Sequence, residues 1–211
     1  LGDGDAALRA YIDSAQIMRE IARNRPDDLN ARREVSVTLT RIGDIQLQMN
    51  QAAAARASFM EALQMRRELL AADPTNVQFM RDVSQAQLRV GDAMLAQREV
   101  PAAYSVYQDA LPLGRDIVRA DPSSASARLD LALILNRIGD LERAQGVAPR
   151  ARMRLEEAVS LAEPVVTADP GNVRAQRTLW SSLWKLAELP EGGVTWAQVL
   201  SALEAADRAG A

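Results

Sequence analysis

Two unrelated markers share one period along this chain. Arg41-Ile42-Gly43-Asp44, Arg89-Val90-Gly91-Asp92 and Arg137-Ile138-Gly139-Asp140 follow one another at intervals of 48 residues, and so do Pro26, Pro74, Pro122 and Pro170. Together they make an internal repeat. A repeat of this length restricts a chain to stacked supersecondary units, each too small to bury its own apolar face alone.

Aligned on the period, "ARREVSVTLTRIGD", "FMRDVSQAQLRVGD", "SARLDLALILNRIGD" and "AQRTLWSSLWKLAE" become successive first helices. Val35, Leu39 and Ile42, then Val83, Val90 and Met94, then Leu131, Leu135 and Ile138, then Leu179, Leu183 and Leu186 recur at the helical intervals of a buried face. Gln46 and Gln87 interrupt the pattern. Second helices are expected from about Gln51, Val100, Ala148 and Thr195. They carry a small residue at Ala7, Ala55, Ala103, Ala151 and Val199, a bulkier one four positions on at Tyr11, Phe59, Tyr107, Leu155 and Leu203, and a small one again at Ser14, Ala62, Ala110, Ala158 and Ala206. Small-large-small along one stripe is what a close helix–helix contact needs, because Ala lets the backbones approach while the larger group fills the gap.

A glycine inside a helix costs about 1 kcal/mol against alanine, so three in one register require a steric reason. The second helix is expected to cross at Gly43, Gly91 and Gly139, leaving no room for a Cβ. "AADP", "RADP" and "TADP" set Asp before Pro, where one helix ends and the next can open. Pro101 and Pro149 fall in first turns, where a missing N–H does no harm. Pro112 and Pro164 fall inside second helices, either bending them or tolerated on an outer face.

Composition agrees with a helical reading. The chain is 48% hydrophobic but only 4% aromatic, the apolar part being largely Ala and Leu, which suits closely packed helices better than sheets. Its 211 residues allow one substantial domain or a short repeat array. The net charge of −3, with both signs interspersed, argues against a nucleic-acid surface. No cysteine or histidine is present, which removes disulfides, thiolate metal sites and the commonest general base. No apolar run reaches the roughly 20 residues of a membrane span and no signal-peptide pattern opens the chain, so the expected location is the cytoplasm. Lys185 is the only lysine among 25 basic residues, a bias that fits a GC-rich bacterial gene. A start at Leu1 without Met fits a piece of a larger protein.

The order glycine, alanine, aromatic, alanine, proline resembles the tetratricopeptide repeat (TPR) family. Gly43–Ala55–Phe59–Ala62, Gly91–Ala103–Tyr107–Ala110 and Gly139–Ala151–Leu155–Ala158 keep that family's internal spacing. The departure is length: the family unit is about 34 residues, and the extra residues divide equally between the two helices. About seven more per helix return the buried face to within ~20° of its place, so packing survives. The unit is thus similar to the long-helix repeats of large bacterial signalling proteins, some of which carry Ser/Thr kinase domains. The resemblance implies an all-α, right-handed α-solenoid of antiparallel helix pairs over residues 1–211. Within it, 1–26 is a leading second helix with its turn at Leu1-Gly2-Asp3, 27–74, 75–122 and 123–170 are full repeats, and 171–211 is a closing helix pair.

In this family first helices build the inner surface, where peptides bind. Carried over by position, the groove candidates are Thr40, Asp44 and Leu47, then Leu88, Asp92 and Leu95, then Asn136, Asp140 and Arg143, with Trp184 and Glu188 last. Arg41, Arg89, Arg137 and Lys185 form a basic row beside them. The family's dicarboxylate clamp wants Lys and Asn where this chain has Thr40, Leu88 or Asn136 and Asp44 or Asp92, which argues against recognition of an acidic C-terminus. The Arg row reads either as an anion-binding ladder or as ion pairs. Those pairs could be local, three residues apart on one helix, or could run between repeats. Trp184 reads as a ligand anchor, or with Trp180 and Trp196 as a terminal cap. For catalysis the best pair is Glu156 and Glu157, but neighbours on a helix point some 100° apart. No P-loop or metal constellation appears, and neither enzymatic activity nor a cofactor is expected. The expected function is a module that binds a protein or peptide on its concave face. Homo-oligomerisation through open solenoid ends is one alternative, and a regulatory arm of a signalling enzyme such as a Ser/Thr kinase is another.

Overall fold

The structure, a computed structural model, describes residues 2–190 and 193–210, the side chains of Gly2 and Asp3 excepted. Leu1, Glu191, Gly192 and Ala211, on which parts of the terminal assignments fall, lie outside the described residues. Among the described residues every regular element is a helix. The chain forms two compact units, residues 1–110 and 111–211.

The first unit holds α1 (Gly2–Asn24), α2 (Leu29–Gln48), α3 (Ala52–Ala72), α4 (Val77–Ala96) and the first half of α5 (Val100–Ala120). α1 packs on α2, α2 on α3 and α3 on α4. Ala15, Val35, Leu39, Ile42 and Ala62 form one core cluster, with Leu8, Met18 and Met65 packed against it. Helices α2 and α4 begin on side chains that cap their exposed N–H groups: Asp28 accepts from Ala31 at 2.9 Å, and Asn76 from Gln78 and Phe79. Each ends in the same way. The residue after the cap turns left-handed, Asn50 at φ 59° and Arg98 at φ 63°, and the next N–H reaches back five residues, Gln51 to Gln46 and Glu99 to Met94. This closure satisfies the last carbonyls of the helix and reverses the chain in a few residues.

The Gly–aromatic register sets how closely the hairpins close. A Cβ at Gly43 would stand 2.7 Å from Cδ1 of Phe59, and one at Gly91 2.7 Å from Cζ of Tyr107, both inside van der Waals contact. Ala55, Ala62, Ala103 and Ala110, on either side of those rings, are fully buried. The ring therefore occupies the volume that the glycine leaves.

The second unit holds α6 (Ala125–Ala144), α7 (Ala148–Ala168), α8 (Val173–Ala187) and α9 (Trp196–Arg208), packed in sequence. Caps recur in register, Ser124 on Ala127 and Asn172 on Ala175, and the turn after α6 uses Gly146 at φ 75°. Ile134, Leu135, Ile138 and Leu155 are fully buried, each stabilising the fold by about 1.5–3 kcal/mol. A Cβ at Gly139 would meet Leu155 Cγ at 3.0 Å, a looser fit than at the two aromatic sites.

The register loosens at both ends. Gly2 and Asp3, expected in a turn, lie within α1. Tyr11 and Leu203, expected on the buried stripe, are each 39% exposed. Ala187 stands where the register of the earlier repeats puts glycine opposite Leu203. Pro112 and Pro164 are exposed, inside α5 and α7, which continue through them.

Candidate functional site

In the first unit the first-helix surface carries two adjoining clefts. The larger, about 460 Å³, is lined by Tyr11, Arg41, Asp44, Ile45, Leu47, Gln48 and Arg89. The smaller, about 220 Å³, lies among α2, α3 and α4 and is lined by Arg33, Val37, Thr40, Arg41, Asp44, Arg66, Asp82, Gln85 and Arg89. Arg41, Asp44 and Arg89 belong to both. The candidates Thr40, Arg41, Asp44, Leu47 and Arg89 thus come together, whereas Leu88 is only 6% exposed and lies in the packing. Leu95 is half-buried, and Asp92 accepts the Tyr107 hydroxyl at 2.6 Å.

The smaller cleft is built on a polar network. Arg33 pairs with Asp82 through both carboxylate oxygens, and Gln78 donates to the same carboxylate at 2.8 Å. That bonding holds the Arg33 guanidinium more basic than usual. Arg66, on α3, is 5% exposed and donates to Ser36 Oγ at 3.1 Å, Thr40 Oγ1 at 3.0 Å and the Asp82 carbonyl at 3.0 Å. Burial pushes its pKa down, with the Asp82 charge acting in the opposite sense, yet a guanidinium remains charged across the physiological range. Thr40 thus positions Arg66 from the wall of the cleft.

The ion pairs run between repeats. Arg89 reaches back to Asp44 at 3.4 Å, and in the second unit Lys185 reaches back to Asp140 at 2.6 Å and Arg143 reaches Glu188 at 2.9 Å. Asp44 and Asp140 are thus each met by the basic residue one repeat on, while Arg143 reaches forward to a later carboxylate. Arg41, exposed, makes no ion pair among the described residues.

In the second unit Asn136 is 2% exposed, its amide bonded to Ser182 at 2.9 Å, so this candidate holds α6 to α8. Arg137 is half-buried and partnered. Trp184 is 40% exposed and packs against Trp180 and edge-on to Trp196, ring centroids 5.9 and 5.4 Å away. Such pairs stabilise beyond their buried area. Glu157 is engaged by Arg115, while Glu156 faces solvent. Arg33, Val37, Ile45, Gln48, Arg66, Asp82 and Gln85 are lining residues that the sequence did not single out, and Tyr11 was expected on the buried stripe instead. The register gave no signal for Arg66, since Gly114 and Ala162 stand at its position in the later repeats. No helix among the described residues is long and apolar enough to cross a membrane.

No protein-family model matches the chain, and no curated protein sequence matches it either. Solved structures do. The chain is similar to BtubC from P. vanneervenii (15% identity, TM-score 0.59, covering 98% of this chain and 82% of that one). It is similar to MamA of RS-1 as a double mutant (15%, 0.57, 99% and 91%) and to the apo form of RapI (14%, 0.59, 95% and 49%). At these identities the likeness is one of fold: the chain is an all-α solenoid of antiparallel helix pairs, TPR-like in its repeat.

Proposed function

We propose that the chain is a non-catalytic docking module, an elongated TPR variant of bacterial origin, that binds a peptide or partner domain on the first-helix face of its first unit. The carrying observation is the pair of adjoining clefts that share Arg41, Asp44 and Arg89. They form on side chains already fixed by Arg33–Asp82, Arg66–Thr40 and Arg89–Asp44, so a ligand meets a surface that needs little rearrangement, and little ordering entropy opposes binding. The helical repeat supplies an extended scaffold for such a face.

The test places a photoreactive amino acid at Gln48, exposed in the larger cleft, or at Met60, 48% exposed on α3. In extract of the source organism, crosslinking of a defined partner from Gln48 and not from Met60 is expected. Equal labelling from both sites, or none from Gln48, refutes the docking face. A second reading has one observation of its own: Trp196, Leu200 and Leu203 on α9 are 55%, 55% and 39% exposed, an apolar strip suited to self-association. A concentration-independent monomer in light scattering removes it.

A further inference from the structure

The charge in the wall of the two clefts is out of balance. Four guanidinium groups line them, Arg33, Arg41, Arg66 and Arg89, against two carboxylates, Asp44 and Asp82. This local excess stands on a chain whose net charge is −3. Both carboxylates are committed, Asp82 to Arg33 and Gln78, and Asp44 to Arg89. Two cations are left over. Arg41 is solvent-facing with no ion pair among the described residues, and it borders both clefts. Arg66 is the more telling, because it is 95% buried by the exposure of 5% and all three of its hydrogen-bond acceptors are neutral oxygens: two hydroxyls and a carbonyl.

A buried cation is expensive unless an anion compensates it. Hydrogen bonds to hydroxyls satisfy its N–H groups without neutralising its charge. An anion entering the cleft would gain from both arginines, in a recess whose low-dielectric walls strengthen the attraction. Size narrows the choice. About 220 Å³ is too small for a drug-sized ligand, which takes roughly 300–1,000 Å³, and ample for one acidic side chain. The larger cleft, with Tyr11, Ile45 and Leu47 in its wall, gives the flanking residues of an extended chain an apolar surface to cross.

Resting on the docking reading above, we propose that the smaller cleft takes a single carboxylate side chain of an acidic peptide segment, with Arg41 as its accessible anchor and Arg66 in its wall. This use of a buried arginine from a second helix accounts for Arg66 being set among hydroxyls, which hold the guanidinium in place while leaving its charge for a guest. Planar guanidinium groups suit a carboxylate because two N–H donors can meet both oxygens.

The experiment measures fluorescence anisotropy of a labelled oligo-glutamate peptide against the intact chain, with oligo-lysine, oligo-serine and a single-stranded oligonucleotide of equal length as comparison probes. Saturable, salt-sensitive binding of oligo-glutamate alone is expected. Arg41→Glu, at an exposed residue with no ion pair among the described residues to lose, is expected to weaken it about tenfold or more. Arg66→Gln is expected to do the same, with helicity checked by circular dichroism. Should Arg66→Gln fail to fold, Arg41→Glu decides alone. No saturable binding by the wild type, an unchanged affinity in Arg41→Glu, or equal affinity for the oligonucleotide overturns the proposal. Partner crosslinking at Gln48 that persists in Arg41→Glu, alongside such a failure, leaves the docking face standing and removes only its acidic ligand.

Discussion

Replacing Gly91 with alanine pits two effects of known size against each other. In an open helix the substitution stabilises by about 1 kcal/mol, since glycine carries excess backbone entropy. Here the new Cβ would stand 2.7 Å from Cζ of Tyr107, a fully buried ring whose hydroxyl is tied to Asp92 at 2.6 Å. The ring can neither swing into solvent nor slide without losing that bond, and forcing a methyl group into a packed core costs about 1–3 kcal/mol. Steric cost outweighs propensity, and a net loss of up to about 2 kcal/mol is expected. At Gly139 the neighbour is Leu155, with Cγ 3.0 Å away, and a shift of a few tenths of an ångström relieves it. There propensity wins, and Gly139→Ala is expected to be neutral or stabilising by up to ~1 kcal/mol. The assay is guanidinium unfolding followed by circular dichroism, each variant against wild type. The cycle with Tyr107→Leu sharpens it, because in that background Gly91→Ala should lose its penalty. If Gly91→Ala raises stability by the propensity gain alone, the close-approach argument for this register is wrong.

Two more outcomes follow from single residues. Arg98 holds φ 63°, a conformation costing about 1–2 kcal/mol for an L side chain, so Arg98→Gly is expected to raise the unfolding midpoint by the equivalent of about 0.5–1 kcal/mol after glycine's own entropy is subtracted. Ser182→Ala leaves the buried Asn136 amide without its partner and is expected to cost about 1–3 kcal/mol, read as a lower midpoint in the same titration.

The repeat was legible because its markers are steric. Gly91 leaves the volume that the Tyr107 ring fills, and the three central periods keep a glycine opposite a bulky group, Phe59, Tyr107 or Leu155. The candidate site was legible only in its exposed half. Asp44 and Leu47, carried over from the family groove, and Arg41 and Arg89 of the row beside it line the clefts, whereas Leu88 and Asn136, about 100° round the helix from that row, are buried, and Thr40 spends its hydroxyl on Arg66. Arg66 escaped because a buried cation is made by neighbours on two other helices, and its register mates Gly114 and Ala162 carry no charge to mark the position. The choice of partner for Asp44 was equally open in one dimension. A local Arg41 and a distant Arg89 are both within reach by spacing, and only the packing of α4 beside α2 selects the second.

The ion pairs and the buried polar contacts divide the labour of ordering the repeats. Arg89 on Asp44 in the first unit and Lys185 on Asp140 in the second are couplings of the same kind, and neither distinguishes one repeat from another. Asn136 with Ser182 is keyed to one joint only. A gene duplication that set 123–170 beside its own copy would turn Asn136 toward Ile134, apolar and deaf to an amide. Such a chain gains length freely at its surface and is penalised inside, which ties the sequential address of each repeat to a handful of hidden side chains.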